Sequence, residues 1–381
     1  MRERIEGIDV LRGLAMVVMA LDHTRDYFGD LRLDPHDVGS ASPALFFTRW
    51  ITHFCAPVFV FLAGVSAYLR GRRADSPGEH SRFLLKRGLW LIALEFVVVG
   101  LAWQLTLTSG RWFLQVIAAI GVGFVALAGL SRLPALGALL VGAAVVGGHN
   151  QLDGVALSPE TPHGWLWHLL HVQGVLPLPG EQVVWVMYPL LPWVGVMALG
   201  YGAGAAALLP RARRRRATLG AGLALTLLFL ALRAGNLYGD PLPWEAQDGA
   251  VRTVASFLNC QKYPPSLLFV AMTLGPALVL LALLDREPGR LLGSLRTFGR
   301  VPLFYYLLHL FFLSVGSLVY YRLRSGEWFR TLTDFPFPAD YGNGLGAVYL
   351  VWAVLVLALY PLCRWFAGVK RRSTASWLSY L

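Results

Sequence analysis

The chain has 381 residues, of which 56% are hydrophobic and only 14% are charged. Soluble domains contain about 45–50% apolar and about 25% charged residues, so this composition excludes a soluble globular protein and indicates a polytopic membrane protein. The net charge of +11 does not indicate nucleic-acid binding, because the basic residues lie in short loops between apolar runs, as topology signals do.

Apolar runs recur along the chain at roughly the 20-residue length that a membrane-spanning helix needs. In chain order they are 8–28, 45–69, 83–105, 112–130, 135–148, 183–208, 218–233, 264–284, 301–320 and 344–366. Runs 135–148 and 218–233 are the weaker candidates. The sequence therefore predicts an all-α fold: a polytopic integral membrane protein with about ten transmembrane helices in a single domain over 1–381.

The basic residues predict the orientation of these helices. If Met1 is cytoplasmic, the cytoplasmic segments hold most of the Lys and Arg residues, whereas segment 149–182 on the outer side holds none. The cytoplasmic set includes Arg2, Arg4, Arg70, Arg72, Arg73, Arg132, Arg213–Arg216, Arg286 and Lys370–Arg372. The positive-inside rule therefore predicts cytoplasmic N- and C-termini, although the outer segment 321–342 carries three arginines.

The first apolar run and the cysteines bear on processing and thiol chemistry. Arg12 interrupts the first run, which lacks a small-residue cleavage site, so we expect no cleaved signal peptide. Cys55, Cys260 and Cys363 lie far apart and form no CxxC motif. We therefore expect neither a cysteine metal site nor a disulfide framework.

The first run, IDVLRGLAMVVMALDHTRDYF, carries six acidic, basic or histidine side chains. Arg12 and His23 are eleven positions apart, and on an α-helix this spacing makes both point the same way, about 16 Å apart along the axis. Asp9 and Asp26 lie on the same stripe. Because a charge in hydrocarbon costs at least about 2.5 kcal/mol, this face must meet protein or a water-filled cavity.

The same stripe predicts a catalytic site. His23 suits acceptance and return of a proton near neutral pH, and Asp26, one turn later, would orient its imidazole. Arg12 suits a phosphate or a polarised carbonyl. The alternative interpretation is structural, with His23 hydrogen-bonded to Asp26 at the end of the helix and Arg12 paired with Asp9.

The second run contains a histidine close to a proline. Arg49 and His53 are four positions apart, and Pro57 follows His53 by one turn. A proline here opens the helical hydrogen-bond ladder, which a membrane tolerates only where neighbours or water satisfy the freed carbonyl. His53 is therefore either a site residue or a packed histidine.

Two more titratable residues are predicted deep in the membrane. In run 301–320, His309 follows Tyr305 and Tyr306 by about one turn, and it is either a site residue or a structural histidine. Glu95 in run 83–105 is equally deep and needs a partner. The candidate partners of Glu95 are Arg87, His53 and His309.

The outer segment 149–182 is rich in Trp, His and Pro. It predicts a short interfacial helix near 164–172, on which His168 and His171 lie three positions apart on one face. A metal pair is one interpretation. Interfacial packing is favoured because no third ligand is evident nearby, so we expect no metal.

Five segments together resemble a known family. They are RIEGIDVLRGLAMVVMALDHTRDYF, THFCAPVFVFLAG, YPLLPW, CQKYPPSLLFVAMTLGP and FGRVPLFYYLLH. These segments look like the bacterial branch of the heparan-α-glucosaminide N-acetyltransferase-like membrane family, within the transmembrane acyltransferase superfamily. They extend from residue 4 to residue 310, about four fifths of the chain.

The resemblance implies acyl transfer from cytoplasmic acetyl-CoA or another acyl-CoA to a hydroxyl or amine of a cell-envelope glycan or lipid, on the outer side of the bacterial inner membrane. Acyltransferase-3 relatives share an Arg–ten residues–His motif, which falls on Arg12 and His23. In those relatives the arginine belongs to the acyl-CoA side and the histidine to catalysis. The heparan enzymes instead have Asn at the His23 position and a catalytic histidine in the following outer segment, where this chain has His36.

Together, these patterns and the resemblance define the residues of the expected site. The expected catalytic residues are His23, Asp26, His53 and His309. The expected acyl-CoA-binding residues are Arg12, Arg296 and Arg300, at the cytoplasmic side. The expected partners are the lipid bilayer, acyl-CoA, the glycan or lipid acceptor and a second copy of the chain.

Three alternatives use the same residues differently. A transporter or flippase would use the polar interior as a pathway, and it would show inverted repeats and broken helices, which the sequence does not reveal. A bis-histidine haem protein would use His53 and His309 as ligands. A non-catalytic interaction protein would keep the fold without the activity.

Overall fold

The structure is a computed structural model that describes residues 5–285, 289–334, 336–338 and 340–373, without the side chains of 290 and 291. Three of the arginines that predict the orientation of the helices lie outside the described residues: Arg2, Arg4 and Arg286. The chain is 70% helical and nearly all-α, which confirms the coarse fold class.

The described α-helices are α1 (Glu6–Phe28), α2 (Pro43–Thr52), α3 (Cys55–Gly71), α4 (Pro77–Leu94), α5 (Gly100–Gln104), α6 (Val116–Leu130), α7 (Ala135–Gly148), α8 (Pro162–His171), α9 (Leu190–Ala203), α10 (Arg211–Ala234), α11 (Ala250–Leu258), α12 (Leu267–Leu284), α13 (Arg290–Arg300), α14 (Pro302–Ser325) and α15 (Leu345–Arg372). A π-helix, Glu95–Val99, joins α4 to α5, and short 3₁₀ helices follow α7 (His149–Leu152) and α9 (Gly204–Leu208).

Three short strands form a small sheet that the all-α prediction missed. They are β1 (Arg111–Leu114), β2 (Gly174–Pro177) and β3 (Val183–Val186), in the order β1–β3–β2. Strand β3 runs parallel to β1 and antiparallel to β2. The runs 112–130 and 183–208 were predicted to be helical throughout, which is wrong for their first residues. The sequences RWFL and VVWV are rich in aromatic and β-branched residues, which favour strands.

Seven helical segments among the described residues are long and apolar enough to cross a membrane. They are Pro43–Gly71, Ala135–Leu152, Leu190–Leu208, Arg211–Ala234, Leu267–Leu284, Pro302–Ser325 and Leu345–Arg372. On α15, Leu350 and Leu357 are 66% and 74% exposed, as expected for side chains that meet lipid. These features identify a multi-pass membrane protein. The count of about ten spans and the cytoplasmic termini stay predictions.

The second predicted run is interrupted as its proline predicts. Helix α2 ends at Thr52 and α3 begins at Cys55, so His53 lies in the break. Pro57 has no backbone N–H, and its ring would clash with the carbonyl group of His53 in a continuous helix. The break therefore follows from local covalent geometry.

The described residues fall into two compact units, and the first unit packs the beginning and the end of the chain together. Its ranges are Met1–Cys55, Val97–Ser109 and Arg286–Leu381. Within it, α1 contacts α2, α13, α14 and α15. The polar face of α1 is thus covered by protein, as the cost of burying charge in lipid requires.

Two glycines set the distance between α1 and α13. A Cβ atom on Gly13 would overlap the carbonyl group of Leu295, and one on Gly299 would overlap the carbonyl group of Asp9. Only residues without side chains allow the two backbones to approach this closely. The contact brings the polar start of α1 against the end of α13.

We expect Gly299→Ala to destabilise the protein by about 1–3 kcal/mol, because the added methyl group must push the helices apart. Gly293 is the matched control: it lies on the same helix, and a Cβ atom there would meet nothing within 4 Å. Gly293→Ala should be neutral or stabilising by up to about 1 kcal/mol, since alanine favours helix. Thermal unfolding in detergent measures both, and equal stability of the two variants would contradict the prediction.

The second unit comprises Ala56–Phe96 and Gly110–Asp285. Its main helix pairs are α4 with α6, α7 with α9, and α10 with α12. Glu95 is 1% exposed, and its Oε2 atom accepts a hydrogen bond of 2.8 Å from the backbone N–H of Ala118. The predicted basic partner is therefore wrong. Glu95 instead satisfies the unpaired, positively polarised N-terminus of α6.

Candidate active site

Arg12 lies where α1 meets α13. Its Nη1 atom is 3.5 Å from Oδ1 of Asp9 and 3.4 Å from the carbonyl oxygen of Gly299. The ion pair of the structural interpretation is therefore present. Asp9 is shared, because Nε of Arg300 lies 3.9 Å from its other oxygen.

The other predicted acyl-CoA-binding residues join the same cluster. Arg296 pairs with Glu6, and Nη2 of Arg300 lies 3.9 Å from Oε1 of Glu6. The side chains of Arg296, Arg300 and Glu6 are 30%, 32% and 32% exposed. With Arg12 and Asp9, the cluster holds three guanidinium groups and two carboxylates. We call these five residues the arginine cluster. It carries one excess positive charge, and most of its side chains are partly exposed to solvent.

Farther along α1, His23 meets His309 of α14. Nδ1 of His23 lies 2.7 Å from Nε2 of His309, and the two rings are nearly parallel, at 8°, with centroids 5.0 Å apart. His309 is fully buried, and its Nδ1 atom lies 3.0 Å from the carbonyl oxygen of Tyr305. His23 is half-buried. The structure thus brings two of the predicted catalytic histidines together.

These contacts define the tautomers of the neutral pair. A carbonyl oxygen can only accept, so Nδ1 of His309 carries the hydrogen and donates it to Tyr305. Nε2 of neutral His309 is then an acceptor, and Nδ1 of His23 donates to it. The remaining lone pair of His23 lies on Nε2, the atom that would act as a base. This assignment follows from the hydrogen-bond network.

An indole group lies against this histidine pair. The rings of His23 and Trp103 meet edge to face, with centroids 4.9 Å apart. The hydroxyl groups of Tyr27 and Ser314 donate to the backbone carbonyl of Trp103, at 2.7 and 3.3 Å. The indole Nε1–H is buried and has no hydrogen-bond partner among the described residues. Trp103 therefore holds an unused donor beside the candidate base.

Asp26 belongs to a second charged cluster. Nη2 of Arg25 lies 2.6 Å from Oδ1 of Asp26 and 3.2 Å from Oδ1 of Asp22. Arg49 also pairs with Asp22. The partner of Nδ1 of His23 is His309, and the orienting role of Asp26 stays a prediction.

His53 belongs to a different histidine pair. Its ring stacks on His36, with centroids 5.3 Å apart and planes at 13°, and Nε of Arg49 lies 3.4 Å from Nε2 of His36. Both ring nitrogens of His309 are occupied by hydrogen bonds. This arrangement argues against a haem held by His53 and His309.

The fold and the comparisons together define the class. The chain is a polytopic, mainly helical membrane protein, and residues 4–234 match the family described as heparan-alpha-glucosaminide N-acetyltransferase, catalytic. Because this match covers more than half of the chain, the protein belongs to this family of acetyltransferase-type enzymes. The predicted family is confirmed. No curated protein matches the chain. The matched residues include Arg12 and His23, whereas His309 lies beyond them.

Sequence reasoning missed Trp103 as a neighbour of the candidate base. A tryptophan inside an apolar run is ordinarily a packing residue, so it carries little signal. One local signal exists, because Gln104 and the polar stretch 106–110 follow directly. They predict the end of the helix, and therefore a residue near a boundary rather than in the middle of a span.

Proposed function

We propose that the protein transfers an acetyl or other acyl group from cytoplasmic acyl-CoA to a hydroxyl or amine of a cell-envelope glycan or lipid on the outer side of the bacterial inner membrane. The observation that carries this proposal is the hydrogen bond between His23 and His309. His23 lies on α1, the helix that also holds Glu6, Asp9 and Arg12 of the arginine cluster. Membership of a transferase family favours this reading over transport.

The arginine cluster is the proposed site for the phosphates of acyl-CoA. Arginine binds phosphate through paired, charge-assisted hydrogen bonds. The guanidinium groups are already held by Glu6 and Asp9, so binding of an anion needs little side-chain ordering. Their partial exposure gives access from the aqueous phase. Helix α1 then leads, over about 16 Å, from Arg12 to His23.

His23 is the proposed general base, and His309 is its positioning residue. Nε2 of His23 takes a proton from the acceptor hydroxyl or amine as the acceptor attacks the thioester carbonyl carbon. His309 accepts the hydrogen bond from Nδ1–H and thereby keeps the lone pair on Nε2. In this step Nε2 of His23 gains a proton while Nδ1–H donates to His309. The hydrogen bond between the two histidines therefore strengthens as positive charge develops on His23.

Attack produces a tetrahedral intermediate with a negative oxygen. The unused indole N–H of Trp103 is the proposed donor to this oxygen, since a buried, preorganised donor stabilises developing charge most effectively. The carbon–sulfur bond then breaks, and the CoA sulfur takes the proton from Nε2 of His23. The enzyme returns to its starting protonation state, and atoms and charges balance.

Asp26 and His53 take structural roles in this proposal. Asp26 would fix the outer turn of α1 through Arg25, and His53 would pack against the ring of His36. His36 is the competing candidate base, because it lies in the outer segment to which the family resemblance assigns a catalytic histidine. Single substitutions of His23 and His36 distinguish the two candidates.

The function is tested with the purified full chain in lipid vesicles, supplied with isotope-labelled acetyl-CoA, glucosamine as a probe amine, and an extract of bacterial envelope glycans and lipids. We expect release of free CoA thiol together with a product whose mass increases by one labelled acetyl group. Empty vesicles and vesicles without acceptor are the controls. Absence of CoA release and of labelled product with acyl-CoAs of several chain lengths would refute the proposal.

A further inference from the structure

Two buried histidines and an aspartate meet in the second unit, and the proposed acyl transfer uses none of them. His149 begins the 3₁₀ helix after α7, and His171 is the last residue of α8. Nδ1 of His149 lies 3.2 Å from Nε2 of His171, and Oδ1 of Asp153 lies 3.7 Å from the same nitrogen. The three ligand atoms all lie within 4.8 Å of one another.

These distances fit a tetrahedral metal ion. Zinc binds imidazole nitrogen at about 2.0–2.1 Å, which puts neighbouring ligand atoms roughly 3.3 Å apart. The separation of 3.2 Å between the two nitrogens is close to this value. The carbonyl oxygen of His149, 3.0 Å from Nε2 of His171, supplies a further oxygen at the same place.

His149 and Asp153 each form a hydrogen bond through their second polar atom, and these bonds orient the ligand atoms as metal sites require. Nε2 of His149 lies 3.0 Å from the carbonyl oxygen of Pro265, so Nε2–H donates there and the Nδ1 lone pair is directed to His171. Oδ2 of Asp153 accepts a hydrogen bond of 2.9 Å from Asn150, which leaves Oδ1 towards His171. Metal-binding histidines are usually held through their second nitrogen in this manner.

The two imidazoles are almost fully enclosed, whereas the aspartate reaches solvent. His149 and His171 are 3% and 2% exposed, and the ring of Trp167 stacks on His171 with centroids 4.7 Å apart. The side chain of Asp153, 21% exposed, leaves a path to solvent.

We propose that His149, Asp153 and His171 bind one divalent transition-metal ion, with Zn²⁺ the preferred ion and water or the His149 carbonyl completing its coordination. The ion would replace the proton that His171 and His149 otherwise share. It would join the end of α7, the end of α8 and, through Pro265, the segment that leads into α12. Its role is therefore to stabilise the second unit, and it takes no part in the proposed acyl transfer.

The test uses the full-length protein in detergent, with any polyhistidine tag removed, after chelator treatment and buffer exchange. Zn²⁺ is added, unbound ion is removed, and bound metal is measured by mass spectrometry together with the melting temperature. We expect one ion per chain and a higher melting temperature with Zn²⁺ than with chelator. Co²⁺ should give visible absorption bands of a nitrogen- and oxygen-coordinated ion.

Three variants make the test specific. Asp153→Asn preserves the size of the side chain and should weaken Zn²⁺ binding at least about tenfold, since loss of a residue that only supports a ligand already costs about 10–100-fold. His171→Ala should abolish it. His163→Ala, which changes an exposed histidine at the other end of α8, should bind like the wild type. Failure of the wild type to bind Zn²⁺, or equal binding by Asp153→Asn and the wild type, would overturn the proposal whether or not the protein transfers acyl groups.

Discussion

Replacing His23 with alanine is expected to lower the rate of acyl transfer by about 10²–10⁴-fold, the usual contribution of a positioned general base. Without the imidazole, the acceptor must attack while it still holds its proton, and the CoA sulfur leaves without a proton donor. The KM for acyl-CoA should change little, because the arginine cluster is intact. Release of CoA thiol under saturating acceptor measures the loss.

His36→Ala is the matched control for His23→Ala. His36 is also a half-buried histidine with a stacked histidine partner, but the proposal gives it no proton to transfer. Its variant should retain activity within a few-fold of the wild type. A large loss in His36→Ala combined with near-normal activity in His23→Ala would assign the base to the other pair and refute the role of His23.

The partner histidine allows a second control. In His309→Gln the amide oxygen can still accept the hydrogen bond from Nδ1–H of His23, whereas in His309→Ala nothing replaces the acceptor. We therefore expect the glutamine variant to retain much more activity than the alanine variant. A purely structural role for His309 predicts equal losses, so the difference between the two variants distinguishes positioning from packing.

The second large expected effect concerns the binding of the acyl donor, acyl-CoA. Arg300→Ala should raise the KM for acyl-CoA roughly tenfold, because a hydrogen bond to a charged group is worth about 1.5–3 kcal/mol and partial exposure reduces this contribution. Each tenfold change corresponds to about 1.4 kcal/mol. Arg296→Ala should act in the same direction, whereas kcat should change little in either variant.

A truncated donor provides the control for the arginine variants. Acetyl-pantetheine carries the same thioester but lacks the nucleotide phosphates, so its KM should be the same in the wild type and in Arg300→Ala. An equal increase for both donors would show that the substitution disturbs the fold rather than the phosphate contact. No increase for acyl-CoA would contradict the assignment of the arginine cluster.

Local periodicity was enough to predict the polar face of α1. The spacing of Arg12 and His23, together with the cost of charge in lipid, required that this face be covered, and the structure covers it with α13, α14 and α15. The break at His53 followed from Pro57. Both predictions depend only on residues within a few helical turns.

The pairings across the chain were beyond sequence reasoning. His23 and His309 are 286 positions apart, and the sequence of neither run indicates that their rings are in contact. Asp26 was predicted as the orienting group because it is one turn away, but its ion pair with the adjacent Arg25, at 2.6 Å, was not predicted. Glu95 was expected to find a basic side chain, but a helix N-terminus satisfies it equally well.

The metal candidate shows a related difficulty. His168 and His171 were considered because they share one face of a short helix, but Nε2 of His168 contacts the carbonyl oxygen of Leu157, at 3.1 Å. The partners of His171 are His149 and Asp153, one helical turn apart in another element. A search for spaced ligand pairs across the whole of segment 149–182, rather than on one helix, would have found them.

The pairing of α1 with α13 and α14 has a consequence for biosynthesis. Helix α1, with Arg12 and His23, leaves the ribosome before α13 and α14, because the groups that cover these two side chains are synthesised almost three hundred residues later. Until then, each charged group in a nascent α1 exposed to lipid costs about 2.5–3.5 kcal/mol. If α1 crosses the bilayer as the sequence predicts, its position there depends on helices made much later, and the site forms only after α13 and α14 have been synthesised.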